Sequence, residues 1–374
     1  MCQDVRIPLP QITTELSLIV ELWMIRIPSA VCAARHSPVS LWNIITTRHG
    51  LYRGQHSGIH HVTAIAGDPQ ANIDFYAGML GLRLVKLTVN FDDPMTYHLY
   101  YGDGQGHPGT ILTFFPWPNA MRGRIGTGQV TVTAFAVPDR SLDFWEKHLQ
   151  QRRINCKREH SPVGEELLAL TDPDGLQLEL VSTPHADPDR AWKNGPVPPE
   201  FAIRGFHHVM LTEEGYERTA VLLTDTMGFR LMESKGNRFR YATASDSGSS
   251  AGTTVDLLCT PAGRSGLVAV GTVHHLAWRT PTDEQQIEWR KVLSSRDYNV
   301  TPVIDRKYFH SIYFREPGGV LFEIATDPPG FAVDEPAEEM GSHLVLPAWL
   351  EPHRAELEQA LPKVRLPQAK GASA

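Results

Sequence analysis

Four segments of the chain open on short apolar runs rich in β-branched residues, a pattern that predicts β-strands. The four openings are GIHHVTAI (58–65), QVTVTAFAV (129–137), GFHHVML (205–211) and TVHHLAWR (272–279). Each segment also ends on an apolar strand pattern. The four closing stretches are GTILTFFPW (109–117), GLQLELVS (175–182), TTVDLLCT (253–260) and GVLFEIATDP (319–328). The chain therefore repeats one strand-bounded unit four times.

A helical pattern follows each opening strand. In the first unit Ile73, Tyr76 and Leu80 recur at helical spacing and Gly81 supplies a stop signal. Equivalent patterns occur in DRSLDFWEKHL (139–149), YERTAVLLTDTMG (216–228) and TDEQQIEWRKVL (282–293). The predicted fold class is α+β, with four βαβββ modules that form two half-open barrels and a C-terminal helical tail.

The domain organisation follows from a proline-rich segment between the second and third modules. Its prolines are residues 184, 188, 196, 198 and 199, which predict a linker. The predicted divisions are a leader of undetermined order (1–56), a first pair of modules (57–183), the linker (184–200), a second pair of modules (201–330) and a tail (331–374).

The composition is that of a folded protein, since 41% of the 374 residues are hydrophobic and 21% are charged. The net charge is -7 and the chain has no long run of Lys and Arg, which argues against nucleic acid as a partner. None of the four cysteines forms a CxxC motif, so neither structural zinc nor a disulfide framework is expected. The expected compartment is the reducing cytoplasm. The sequence leaves a homo-oligomer open.

The leader contains an apolar-rich stretch at 16–34, but Glu21, Arg26 and Pro28 interrupt it. A membrane-spanning helix needs about 20 mostly apolar residues without such charges. A signal peptide would require a basic start before the apolar core, and Asp4 and Glu15 argue against one. No membrane association is therefore predicted.

Paired histidines recur in three of the four opening strands, as His60–His61, His207–His208 and His274–His275. Neighbouring strand residues point to opposite faces, so one member of each pair is expected inside a barrel. Glu323 lies among apolar residues of the last closing strand, where a lone carboxylate is costly unless it is paired or bound to a metal. Two imidazoles and one carboxylate are typical of non-haem Fe(II) sites with open positions for substrate and dioxygen.

Spacing leaves two triads open, because Asp256 follows His208 at the same interval at which Glu323 follows His275. If neighbouring modules pair, the triad is His208, His275 and Glu323. If the first and fourth modules pair, His61 replaces His208. Taken singly, each of these histidines is more often a packed side chain than a ligand.

Longer stretches of the chain resemble the ring-cleaving dioxygenases of the vicinal oxygen chelate superfamily, in particular the branch that opens hydroquinones and chlorohydroquinones. The resemblance covers about residues 57–366, and its most specific part is DRKYFHSIYFREPGG followed by FEIATD. The other stretches are GIHHVTAI, FYAGMLGLRLVKLTVNFDDP, YHLYYGDGQGHPGTILTFFPW, TVHHLAWR and LPAWLEPHR.

This resemblance implies an Fe(II)-dependent enzyme that cleaves a hydroquinone or catechol-like ring with O2. It implies that His61, His275 and Glu323 are the metal ligands. The residues that it places near the substrate or behind the ligands are His60, Thr63, His274, Arg306 and Tyr313. The half with His208 and Asp256 is then interpreted as a degenerate barrel with a structural role. If that half held a metal, Glu179 would be the candidate third ligand.

Two other functions are compatible with the scaffold. A glyoxalase-type isomerase or lyase would normally use four protein ligands, and Thr113, Phe114 and Phe115 of the first closing strand include no carboxylate to serve as the fourth. A non-enzymatic protein that binds small aromatic compounds would be expected to lack the ligands. The sequence therefore favours the dioxygenase.

Overall fold

The computed structural model describes residues 58–243 and 252–366, so the predicted leader lies outside the described residues. The first module consists of β1 (Ile59–Ala66), α1 (Pro69–Ile73), β2 (Arg83–Asn90), β3 (Asp93–Gly102) and β4 (Ile111–Pro116). The second consists of β5 (Gln129–Pro138), α2 (Leu142–Gln151), β6 (Cys156–His160), β7 (Glu166–Thr171) and β8 (Gln177–Thr183).

The third module repeats this order with β9 (Phe206–Glu213), α3 (Glu217–Val221), β10 (Phe229–Lys235), β11 (Arg238–Thr243) and β12 (Thr254–Cys259). The fourth consists of β13 (Thr272–Thr280), α4 (Asp283–Ser294), β14 (Ile304–Asp305), β15 (Phe309–Arg315) and β16 (Leu321–Pro329). The tail contains α5 (Arg354–Ala360). The four βαβββ modules and the helical tail of the predicted fold are confirmed.

Two of the helices begin at residues whose side chains cap them. Asp68 caps α1 by accepting a hydrogen bond from the amide of Ala71, and Thr282 caps α4. Such a cap contributes about 1 kcal/mol. α1 and α3 each continue into a π-helical turn, Asp74–Met79 and Leu222–Thr226. None of the described helices is both long and apolar enough to cross a membrane.

The sixteen strands form two eight-stranded sheets. The first sheet has the order β14-β15-β16-β13-β1-β4-β3-β2 and so joins the fourth module to the first. The second sheet has the order β10-β11-β12-β9-β5-β8-β7-β6 and joins the third module to the second. In each sheet the two opening strands pair antiparallel, β1 with β13 and β5 with β9.

This pairing differs from the predicted grouping of consecutive modules, because each sheet takes one module from 57–183 and one from 201–330. Strand patterns define which residues face one side of a strand, but they do not define its partner. The partner depends on pairing between strands that are distant in the chain, such as His61 opposite Ala277 in the first sheet and Ala134 opposite His208 in the second. The division of the chain into two domains at the linker stays a prediction.

The tail packs on the first sheet. The amide of Val345 donates to the carbonyl of Leu87 at 2.9 Å, and the Tyr97 hydroxyl donates to the carbonyl of Pro362. Lys86 of β2 is fully buried, and its ammonium group contacts the carboxylates of Asp334 and Glu335. Because a buried charge is stable only when it is paired, these contacts hold the start of the tail against β2.

Candidate metal centre

Three strands of the first sheet bring the predicted ligands together. His61 of β1 lies opposite Ala277 of β13, and Glu323 of β16 lies in parallel register with the same Ala277. His275 precedes Ala277 by two residues on β13, so its side chain points to the same face. The register therefore places all three side chains side by side. His208 lies on β9 in the second sheet, so the pairing of the first and fourth modules selects His61 over His208.

The ligand atoms of these residues converge on one point. The Nε2 atoms of His61 and His275 are 3.2 Å apart, and they lie 3.3 and 2.9 Å from Oε2 of Glu323. Glu323 is fully buried, and both histidines are almost completely so. Yet Oε2 of Glu323 has no well-oriented hydrogen-bond partner among the described residues. Two imidazole nitrogens and an orphaned carboxylate oxygen form a donor set that fits a divalent transition metal.

The electrostatics of the cluster favour an ionised Glu323 and a neutral His275. Burial by itself raises the pKa of Glu323, but the neighbouring His61 and His275 outweigh it and hold that pKa well below its usual value. Burial lowers the pKa of His275 despite the nearby carboxylate. The Ser311 hydroxyl donates to Oε1 of Glu323 and so orients the carboxylate. An ionised carboxylate beside a neutral imidazole is what metal binding requires.

Each candidate histidine ligand is contacted by the histidine that precedes it. The Nδ1 atoms of His60 and His61 are 2.9 Å apart, and those of His274 and His275 are 2.7 Å apart. A ligand that uses Nε2 carries its hydrogen on Nδ1 and donates it to the preceding ring. Burial lowers the pKa of His60 and of His274, the latter to about 3, so both rings are neutral acceptors. The tandem pair thus fixes the tautomer and ring orientation of the ligand.

The other predicted site residues surround this cluster. Thr63 lies opposite His275 in the β1–β13 pairing, and Tyr313 of β15 lies opposite Glu323. The Arg306 guanidinium donates to the Tyr313 hydroxyl at 3.3 Å and to Oδ2 of Asp92 at 3.0 Å. The structure therefore brings all eight predicted side chains into one region of the first sheet. Their chemical roles stay predictions.

Several residues of this region were not found from the sequence. Oγ1 of Thr113 lies 2.9 Å from Oγ1 of Thr63 and 2.9 Å from Nε2 of His98, and the Tyr100 hydroxyl lies 2.8 Å from Nδ1 of His98. Burial lowers the pKa of His98. The alternation of His98 and Tyr100 in YHLYY was the available signal, because residues two apart share a strand face.

Residues 58–180 and 205–324 match the family model described as the Glyoxalase/Bleomycin resistance protein/Dioxygenase superfamily. These segments make up more than half of the chain, which therefore belongs to this superfamily. The "Putative ring-cleaving dioxygenase MhqO" of Bacillus subtilis is 51% identical over 304 residues, 81% of this chain and 95% of the relative. The chlorohydroquinone/hydroquinone 1,2-dioxygenase of Sphingobium indicum is 33% identical over 308 residues, 80% of this chain and 94% of that protein.

One solved structure supports the same grouping, and a second shows the same fold. The crystal structure of a "putative dioxygenase" from Bacillus subtilis has a TM-score of 0.79 at 49% identity and covers 84% of this chain and 99% of that one. Glyoxalase I from Zea mays has a TM-score of 0.54 at 15% identity and covers 72% of this chain and 92% of that one. The second likeness shows a shared fold alone, since one fold hosts several chemistries.

Proposed function

We propose that this chain is a metal-dependent dioxygenase that cleaves a hydroquinone or catechol-like ring with O2. The observation that carries the proposal is the buried cluster of His61, His275 and Glu323 with its orphaned carboxylate oxygen. The names of the relatives at 51% and 33% identity support it. The reducing cytoplasm, expected from the cysteine pattern, suits a ferrous ion.

Fe(II) is the proposed metal, and when bound it supplies the route by which electrons pass from the ring to dioxygen. His61, His275 and Glu323 would hold it through Nε2, Nε2 and Oε2. Three protein ligands leave coordination positions for two reactants. Thr113 lies in register with Thr63, where a fourth carboxylate could otherwise reach the cluster. This absence of a fourth carboxylate favours a dioxygenase over a glyoxalase-type enzyme.

The chain's own residues bind and orient an ionised ring hydroxyl. Arg306 is largely buried, and its guanidinium lies over the Tyr313 ring at 5.5 Å. A planar guanidinium keeps its charge and offers donors in fixed directions. An oxyanion on the ring would accept from Arg306 in competition with Asp92 at the rim. Arg306 would thereby position the ring beside the cluster.

Proton transfer at the ring is assigned to Tyr313. Its hydroxyl lies on the same face as Glu323 and accepts from Arg306, whereas Nδ1 of His274 is engaged with His275. Burial raises the pKa of Tyr313, so the hydroxyl holds its proton at neutral pH and can donate it to an oxygen of the substrate. The chain Tyr100–His98–Thr113–Thr63 would orient a second hydroxyl of the ring or a water molecule.

The test is to purify the protein without oxygen, measure its iron and follow oxygen uptake with hydroquinone, a chlorinated hydroquinone and catechol. About one iron per chain with ring-dependent oxygen uptake is expected for a mononuclear site. Zinc or nickel in place of iron, with no uptake on any ring, would overturn the proposal in favour of a glyoxalase-type reaction. Ring binding without metal would instead indicate a binding protein.

A further inference from the structure

The second sheet repeats the strand register that brings His61, His275 and Glu323 together in the first sheet. Asp256 of β12 lies in register with the residue two positions after His208 on β9. Glu323 of β16 lies in register with the residue two positions after His275 on β13. His208 and Asp256 therefore occupy the places of His275 and Glu323. Both are fully buried, like Glu323.

Two further positions differ between the sheets. Val132 of β5 lies opposite the residue two positions after His208, which is the place of His61 in the first sheet. Glu179 of β8 lies in register with the residue opposite His208. Thr113 holds the same place in the first sheet, in register with the residue opposite His275. The second sheet has therefore lost one imidazole and gained one carboxylate. Three candidate ligands remain, which are His208, Asp256 and Glu179.

A guanidinium group contacts two of these three side chains, His208 and Asp256. Nη2 of Arg238 is 3.1 Å from Nε2 of His208, and Nε of Arg238 donates to Oδ2 of Asp256 at 2.7 Å. Nη2 contacts the same carboxylate oxygen. Nε2 of His208 lies 3.5 Å from Oδ2 of Asp256 and 3.6 Å from Oε2 of Glu179. The side chain of Arg238 is 7% exposed, so its charge is compensated inside the protein and not by solvent.

A second arginine completes the ion-pair network. Arg240 donates to both oxygens of Asp256 and to Oε1 of Glu165. The carboxylate of Asp256 is thus fully paired, unlike Oε2 of Glu323. Oε2 of Glu179 is buried without a hydrogen-bond partner among the described residues. Within the described part of the chain, only His61, His275 and Glu323 bring three ligand atoms within 4.8 Å of one another.

We propose that the guanidinium of Arg238 takes the place of a divalent metal ion in the second sheet. His208, Asp256 and Glu179 then form a latent metal site, which Arg238 keeps closed and Glu179 would complete as third ligand. The chain would accordingly bind its metal in the first sheet alone. This proposal does not depend on the reaction that the first sheet catalyses.

The test is to remove the guanidinium group of Arg238 and to measure the metal content of the protein. The Arg238→Ala variant is incubated with Co2+, freed of excess by gel filtration, and analysed for metal content and for the visible absorption of Co2+. About one additional ion per chain relative to the native protein is expected, as for a site with two carboxylates and one imidazole. The extra ion should persist when Glu323→Gln is added, which separates this site from the first, and it should be lost when His208→Ala is added.

Two matched variants serve as controls. Arg240→Ala removes the other guanidinium bound to Asp256 but leaves Arg238 in place, so it should gain no metal. Arg238→Lys keeps a cation at the site and should gain none either, and an additional ion in this variant would overturn the proposal.

Arg238→Met keeps the apolar stem of the side chain and is used if the alanine variant does not fold. Thermal unfolding with and without Co2+ gives a second readout, because a ligand that binds only the folded state raises the Tm. A folded variant without Arg238 that gains neither metal nor Tm would overturn the proposal. So would a native protein that binds a second ion and loses it on His208→Ala substitution.

Discussion

The two sheets share one backbone register and place different chemistry on it. In the first sheet His61, His275 and Glu323 leave a buried carboxylate oxygen without a hydrogen-bond partner among the described residues. In the second sheet the carboxylate of Asp256 is paired with two guanidinium groups. The strand pairing therefore defines where a metal site can lie, while a few side chains decide whether an ion or an arginine occupies it.

The largest effect is expected when the carboxylate of Glu323, the proposed metal ligand, is removed. Glu323→Gln keeps the size of the side chain but loses the charge that binds metal. Metal affinity should fall by more than about 100-fold, above the range seen for residues behind a ligand, and ring-dependent oxygen uptake should be lost with it. Metal analysis and an oxygen electrode check this. Glu179→Gln in the second sheet is the control and should retain both. Normal metal and activity in Glu323→Gln would refute the assignment of this ligand.

Asp256→Asn tests the opposite expectation at the matched position. This substitution leaves the guanidinium groups of Arg238 and Arg240 without their shared counter-ion. Breaking a buried ion pair from one side costs about 3–5 kcal/mol. The free energy of unfolding, measured by urea denaturation, should fall by that amount while the metal content of the folded protein stays unchanged. Loss of metal without loss of stability would contradict the proposal that Asp256 pairs with guanidinium groups and not with a metal.

The tandem histidines provide a second test of the difference between the sheets, because the same contact occurs in both. Nδ1 of His207 lies 2.9 Å from Nδ1 of His208, as Nδ1 of His60 does from that of His61. His60→Ala should weaken metal binding by about 10–100-fold, since it removes the acceptor behind a ligand. A competition titration against a chelating dye measures this. His207→Ala should leave the affinity unchanged, and an equal effect of both variants would argue against an orienting role.

A pH difference is expected from one buried acid of β9. Glu213 occupies the position on β9 that Thr280 occupies on β13. Neither carboxylate oxygen of Glu213 has a hydrogen-bond partner among the described residues. Burial, and then the neighbouring Glu316, raise the pKa of Glu213 to about 8. An acid whose pKa is raised by folding favours the folded state at low pH. That contribution is lost as pH rises from the unfolded pKa, about 4.3, through the folded pKa.

The Glu213→Gln variant should therefore lose less stability than the native protein between about pH 5 and 8. The difference is expected to be on the order of 1–3 kcal/mol. Urea denaturation at several pH values measures it, with Glu233→Gln on β10 as an exposed control. Parallel stability curves for Glu213→Gln and the native protein would show that Glu213 ionises normally.

The smallest effect is expected at the rim of the first sheet. Asp92 is more than one-third exposed and pairs with Arg306. Such a pair is worth no more than about 1 kcal/mol. Asp92→Asn should lower the KM for the ring by up to about fivefold without changing kcat, because Arg306 no longer has a competing partner. Steady-state oxygen uptake tests this, and a fall in kcat would assign Asp92 a role in the reaction.

The fourfold repeat and most of the candidate site could be predicted from the sequence. Period-two and helical patterns defined four modules, because burial of one strand or helix face leaves a local signature. The histidine pairs and Glu323 could be identified because such side chains are costly on apolar strands without a partner.

Which modules pair, and therefore whether His61 or His208 joins His275, could not be predicted from the sequence. That choice depends on hydrogen bonding between β1 and β13, whose residues are far apart in the chain and carry no local signature of their partner. Arg238 was likewise invisible in the sequence as a substitute for a metal ion. Its role follows from distances to His208 and Asp256, which exist only once β9, β11 and β12 lie side by side.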